Sequence, residues 1–263
     1  MDNQSTKKLS VVIFSAGVAR RMYPLTGNMP KNLIKITDHK TILDFQLEAI
    51  KKCPQIDAII IVVGFEHQQI RDHIFANHAE LPIKFILNPF FEVSGNIISS
   101  WLSLKEINGA VITINGDDVF SERVIQTLSI DPRDIVLSVS KSSIFDEDDM
   151  KVMLDKNNNV VTEIGKHIDL TSADAESLGI IKYSQKGVTK FLSTFESMMA
   201  SYHQHIGSYY LAVIQTLIEK GNKIYFSEFD ANEWREFDYK EDLESFKKDH
   251  LSGKLVGSVF YEE

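Results

Sequence analysis

Cysteine is nearly absent. The 263-residue chain holds one, Cys53, which excludes an intrachain disulfide and any metal site built from several cysteines. Long apolar runs are missing as well. No stretch reaches the ~18 residues a membrane-spanning helix needs, and residues 1–8 are polar, without the apolar core of a secretory leader. These absences lead to the expectation of a cytoplasmic protein with no membrane partner. Positive charge is also scarce. The 28 Lys and Arg against 37 Asp and Glu leave a net charge of −9, which argues against nucleic acid as a partner, because that ligand favours a basic face. No repeat, low-complexity tract or Gly/Ser/Pro linker interrupts the chain. A single domain over residues 1–263 is therefore expected, with lobes at about 9–130 and about 131–263.

What the chain does contain is alternation. Strand-like runs at 9–14, 58–63, 83–87 and 110–114 are separated by helical spacings at 42–50, 66–75 and 99–104. Strands alternating with helices of about ten residues indicate an α/β fold with a mostly parallel sheet covered on both faces. Later strands are expected at 135–139, 178–183, 224–229 and 235–238. A hairpin is expected over 150–164 through Asp155-Lys156-Asn157-Asn158-Asn159, and helices at 187–199, 209–220 and 242–250.

In such sheets ligands sit at the carboxyl ends of the strands. The first strand opens there into a small-residue turn, Ser15-Ala16-Gly17, followed by Arg20, Arg21, Lys31 and Lys35. Small residues let backbone N–H groups approach phosphate oxygens, and guanidinium and ammonium groups neutralise them. The strand at 110–114 ends in Asn115-Gly116-Asp117-Asp118. A carboxylate at that point suits Mg²⁺, which prefers oxygen ligands together with phosphate oxygens. Asp118 is expected to turn its side chain to the opposite face if the strand continues.

The stretch Ser15-Ala16-Gly17, Arg21-Met22, Pro24-Leu25-Thr26, Pro30-Lys31 and Leu33 resembles the signature loop of the sugar-phosphate nucleotidylyltransferase superfamily. Ser15 and Ala19 depart from its usual residues. Further phrases resemble the choline-phosphate cytidylyltransferase-like branch: Ser94-Gly95-Asn96-Ile97-Ile98-Ser99, Asp149-Met150-Lys151-Val152, Ile164-Gly165-Lys166 and the run from Glu176 to Ser184. The phrase Trp234-Arg235-Glu236-Phe237-Asp238 matches the superfamily's closing motif. The resemblance spans about residues 9–250.

That resemblance implies a nucleotide-diphosphate-sugar transferase (Rossmann-like) fold with a mixed, mostly parallel central sheet. The first lobe would bind the nucleotide and the second the acceptor. It implies transfer of a cytidylyl group from CTP to a small phosphorylated or phosphonylated acceptor, with release of pyrophosphate. By the same resemblance Arg21 and Lys31 are catalytic, and Ser15, Ala16, Gly17, Ala19, Asn96, Ser99 and Asp117 contact the nucleotide. Lys166, Glu176 and Trp234 contact the acceptor, and Asp117 and Asp238 hold Mg²⁺. Asp242 is read as the opener of the last helix, where acidic residues suit the positive helix end. Phosphocholine, 2-aminoethylphosphonate, another phosphorylated amine and inositol phosphate all remain open as acceptors, and a homodimer is one open assembly. The rivals are a sugar-1-phosphate nucleotidylyltransferase using UTP, GTP or dTTP, and a nucleotide-sensing subunit without turnover. A dinucleotide-binding dehydrogenase is excluded by the missing spaced three-glycine fingerprint.

Overall fold

The computed structural model describes residues 8–18, 20–22, 26–141, 145–201 and 203–262. Strands β1 (Leu9–Ser15), β2 (Ile56–Val63), β3 (Ile83–Leu87) and β4 (Ala110–Asn115) are joined through helices α1 (Ile42–Lys51), α2 (His67–Asn77) and α3 (Asn96–Leu104). They pair in parallel in the order β3-β2-β1-β4. β5 (Asp118–Phe120) and α4 (Glu122–Ser129) lead to β6 (Ile135–Ser140), β7 (Lys151–Asp155), β8 (Val160–Gly165) and β9 (Ala175–Tyr183). After α5 (Gln185–Ser201) and α6 (Leu211–Glu219) come β10 (Ile224–Phe229), β11 (Trp234–Glu236) and α7 (Lys240–Leu251).

The sheet continues from β4 through β9, β6, β10, β8 and β7, so one nine-stranded sheet runs through both halves of the chain. The expected mixed sheet is found. Parallel pairing is confined to β3-β2-β1-β4 and to β6 with β10, while β9 runs antiparallel to both β4 and β6. The expected hairpin is β7 with β8.

The apolar runs of the central strands follow from burial on both faces. Val11 and Ile13 of β1 pack with Ile42, Phe45, Ile70 and Phe246 from α1, α2 and α7 on one side. Val12 and Phe14 pack with Ile97, Phe191 and Ile214 from α3, α5 and α6 on the other. A strand wetted on neither face has no use for polar alternation. Among the helices, α1 is buried almost all round, whereas α2 turns only Ile70 and Ile74 fully inward. Thr41 opens α1 through a capping box with Asp44.

Two features had no clear periodic signal. α4 is a short helix in a stretch where no element was expected. β5 exists only because β11 pairs with it antiparallel, placing Glu236 opposite Asp118 and Trp234 opposite Phe120. The strand expected at 235–238 therefore lies at Trp234–Glu236, and Asp238 stands just beyond it.

Candidate functional site

The cleft begins at the end of β1. Asn32 Nδ2 donates to Ser15 Oγ at 2.8 Å, tying the 3-10 turn Lys31–Leu33 back onto the strand end. That tie delivers Lys31 beside the end of β4. Gly116 lies between the two strand ends, where an added Cβ would stand 2.3 Å from the Phe14 carbonyl oxygen, so only glycine allows so close an approach. The turn at Gly116 and Asp117 then breaks the strand alternation. Asp118 consequently does not turn away as expected: carboxylate oxygens of Asp117, Asp118 and Glu236 lie within 4.8 Å of one another. Asp118 accepts a hydrogen bond from Trp234 Nε1 at 3.1 Å. Burial, with Asp117 and Glu236 alongside, pushes its carboxyl well above the usual range.

The end of the chain arrives through β11. Phe237 N–H donates to the Asp117 carbonyl at 3.1 Å, and Asp242 accepts from the Asp238 N–H at 2.8 Å, so the start of α7 holds Asp238 in position. Lys31 Nζ then bridges Asp117 at 2.7 Å and Asp238 at 2.5 Å. Burial works against the Lys31 charge, but Asp117 and Asp238 outweigh it and hold its pKa above the usual value.

Arg21 extends the arrangement. Its Nη1 donates to Asp238 Oδ2 at 2.9 Å and to Asp148 Oδ2 at 2.5 Å. Asp148 in turn pairs with Lys166, whose ammonium lies 5.1 Å from the Tyr209 ring centre. The result is a continuous alternating chain of ion pairs, Asp117–Lys31–Asp238–Arg21–Asp148–Lys166. Its six groups come from five separate parts of the sequence.

These groups line a cleft of about 430 Å³. Ser15, Ala16, Gly17, Asn96 and Ser99 line it from the end of β1 and the start of α3, and Glu176 and Trp234 from β9 and β11. Every described residue to which the resemblance gives a catalytic, nucleotide, acceptor or metal role thus lines one cavity, whereas Lys35 does not. Ala19, Pro24, Leu25 and the side chain of Arg20 lie outside the described residues. Asn96 Oδ1 accepts from the Tyr210 N–H at 2.9 Å, and Ser99 Oγ accepts from Asn88 Nδ2 at 3.1 Å. Neither side chain caps α3, whose N-cap is Gly95. Glu176 has its pKa pushed up to about 8, by burial first and then by Asp149. A second chamber of about 430 Å³ shares Asp148, Glu176, Trp234, Glu236 and Asp238 with the first.

Sequence reasoning passed over Asp148 and Glu236. Asp148 sits in the acidic run Asp146 to Asp149, beside the phrase Asp149-Met150-Lys151-Val152, but nothing in that run distinguishes one carboxylate from another. Lys151 distinguishes it in space. Only 1 % exposed, it donates from Nζ to the carbonyls of Asp146 and Glu147, each at 3.1 Å, and so organises the loop that carries Asp148.

The sequence pattern of the nucleotidyl transferase family matches residues 10–212, which cover the cleft's first half and reach past Lys166. This chain belongs to that family. Among relatives of this nucleotidyl transferase, the CTP:phosphoglutamine cytidylyltransferase of Campylobacter jejuni is 23 % identical over 259 residues, 90 % of this chain and 98 % of its own. The bifunctional protein GlmU of Methanococcus vannielii is 31 % identical over 121 residues, 46 % of this chain and 27 % of its own. The solved CTP:phosphocholine cytidylyltransferase of Streptococcus pneumoniae shares the fold. Its TM-score is 0.75 at 18 % identity, over 92 % of this chain and 98 % of that one. The expected nucleotidyltransferase fold is therefore what this chain adopts. No helix among its described residues is long and apolar enough to cross a membrane.

Proposed function

We propose that this nucleotidyl transferase moves a cytidylyl group from CTP to a small phosphorylated or phosphonylated acceptor and releases pyrophosphate. The observation that carries this reading is the ion-pair chain from Asp117 to Lys166. It sets three cations in a row along one cleft, each held by carboxylates in the free protein and each available to phosphate oxygens. A relative that matches across nearly its whole length is a cytidylyltransferase acting on a phosphorylated small molecule, which favours CTP over the sugar-1-phosphate reading.

In this mechanism the turn Ser15-Ala16-Gly17 presents backbone N–H groups to the triphosphate, and Arg21 and Lys31 neutralise it. Asn96 and Ser99 border the nucleotide at the start of α3. Lys166 holds the acceptor's phosphate or phosphonate, and Glu176 and Trp234 border the rest of the acceptor. An acceptor oxygen attacks the α-phosphorus in line while pyrophosphate leaves from the opposite side. The attacking oxygen is ionised at neutral pH, so positioning and charge neutralisation supply the catalysis without a general base.

Asp117 and Asp238 would hold Mg²⁺. They fit it, because the donors are carboxylate oxygens and the two side chains already converge on one cation, the Lys31 ammonium. When bound, the metal supplies positive charge to triphosphate oxygens. The two lobes are read as one working unit in the cytoplasm, with nucleotide on the β1 side and acceptor on the β8–β9 side.

A pyrophosphate-release screen tests this proposal, pairing four NTPs with phosphocholine, 2-aminoethylphosphonate, inositol phosphate and a sugar 1-phosphate. CTP with one of the first three is the expected active pair. A preference for UTP, GTP or dTTP with the sugar phosphate overturns both base and branch. Nucleotide binding with no release from any pair points to a sensing subunit.

A further inference from the structure

We propose that Asp44, His73 and His78 form a binding site for one transition-metal ion of the zinc class, on the α1–α2 side of the sheet and apart from the cleft. One carboxylate oxygen and two imidazole nitrogens converge there from three places. Asp44 Oδ1 lies 2.7 Å from His73 Nε2 and 2.6 Å from His78 Nε2, and the three donor atoms all lie within 4.8 Å of one another. None of the three residues lines either chamber of the cleft.

The site is built rather than incidental. Asp44 is 7 % exposed and His78 6 %. The second carboxylate oxygen, Oδ2, is held by the Thr41 N–H and hydroxyl, each at 2.7 Å, which leaves Oδ1 aimed at the two rings. The His78 N–H donates to the Ile74 carbonyl at 2.8 Å, anchoring that residue to the end of α2. Behind His73, the Asn77 side-chain amide lies 3.3 Å from Nδ1. The same amide nitrogen donates to the His73 carbonyl at 2.9 Å, which ties the ring's own residue to the last turn of α2. Behind His78 stands Lys51, 3.5 Å from Nδ1 and already drawn towards Glu80 by an ion pair of 2.6 Å.

The donor set decides the class of ion. Two imidazoles and one carboxylate suit Zn²⁺, Co²⁺ or Ni²⁺. They offer too little oxygen for Mg²⁺ or Ca²⁺, in contrast to the all-carboxylate pair of the cleft. In the metal-free protein, protons on the two Nε2 atoms occupy the space between rings and carboxylate. An ion replaces those protons as the rings draw back by about half an ångström from the 2.6 and 2.7 Å contacts to the wider spacing of a tetrahedral site, and water, admitted beside the 19 % exposed His73 side chain, completes the coordination. Loading pins the start of α1 to the end of α2. Through the bridge between Thr41 and Lys35, it also stiffens the segment that leads back to Lys31.

The test uses chelator-treated full-length protein titrated with Co²⁺ in excess Mg²⁺, followed by its visible absorption, with Zn²⁺ as competitor. The expected result is one equivalent of Co²⁺ bound and displaced by Zn²⁺, at least ten-fold weaker in His73→Gln and in His78→Gln, and unchanged in Asp117→Asn. No binding to the wild type, binding indifferent to both histidine substitutions, or loss in Asp117→Asn overturns the site. If His78→Gln does not fold, His73→Gln carries the comparison. Imidazole ¹⁵N resonances of the wild type provide a second measurement, in which Zn²⁺ is expected to shift the two Nε2 signals. Unshifted signals overturn the proposal.

Discussion

Asp117, Asp148 and Asp238 each hold a cation that the proposed reaction would turn to phosphate oxygens. Lys31 is shared between Asp117 and Asp238, so losing either acid disturbs both the proposed metal position and the ammonium. Asp117→Asn and Asp238→Asn are each expected to lower kcat by about a hundred-fold or more, the scale of several kcal/mol of transition-state stabilisation. Steady-state rates at saturating Mg²⁺ and CTP check this; near-normal turnover in either variant removes that residue from the metal set. Lys166 lies at the far end of the ion-pair chain. Its loss is expected to remove a charge-assisted contact of about 1.5–3 kcal/mol, so Lys166→Ala should raise KM for the acceptor about ten-fold or more while KM for CTP changes much less. The reverse pattern would move Lys166 to the nucleotide. Glu176 carries a pH signature. Its folded pKa of about 8 lies above the usual carboxyl value, so the folded protein holds a proton that the unfolded chain gives up. Stability is then retained at low pH and falls as pH rises from the usual carboxyl range towards 8. Denaturant unfolding across that window should show this loss in the wild type and a flatter dependence in Glu176→Gln. Equal slopes would show that Glu176 does not carry a raised pKa.

At the scale of elements, the loop before β7 depends on one buried lysine. Lys151 Nζ binds carbonyls of residues 146 and 147 and, at 3.4 Å, 149. Lys151→Met leaves those acceptors without their donor and is expected to cost about 2 kcal/mol or more. Because the same loop presents Asp148 to Lys166 and Arg21, the variant should also raise the acceptor's KM more than that of CTP. Unfolding measurements paired with kinetics separate the two effects, and a variant that loses stability with both KM values unchanged limits Lys151 to a structural role. Strands β1 and β2 and helix α5 were legible because burial on both faces, or along one stripe, writes itself into residue spacing. β5 and β11 were harder to read. Each is three residues long, too short for periodicity, and each is a strand only by virtue of the other.

Across the whole molecule, the candidate cleft draws on residues from both ends of the chain. CTP with Mg²⁺ is expected to raise the melting temperature by several degrees, since about 2.7 kcal/mol is gained at a hundred times Kd. CTP with a chelator should give much less, because the triphosphate then meets Asp117 and Asp238 without the intervening charge. A shift independent of Mg²⁺ would show that the metal does not join nucleotide to protein.

The amino-acid sequence by itself determined the alternating α/β order, the signature loop from Ser15 to Leu33 and the types of residue available for phosphate and metal. Those properties are local: they depend on side-chain spacing and backbone chemistry over a few residues. The tertiary structure alone decided which carboxylate faces which cation. Asp117 meets Asp238 because β11 pairs with β5 and Phe237 bonds the Asp117 carbonyl, and Asp148 meets Arg21 because Lys151 gathers its loop. Asp118 stays beside Asp117 because the strand turns at Gly116. Ion pairing acts through space over a few ångströms, and the distance between two charges more than a hundred residues apart is set by the packing of the sheet that carries them.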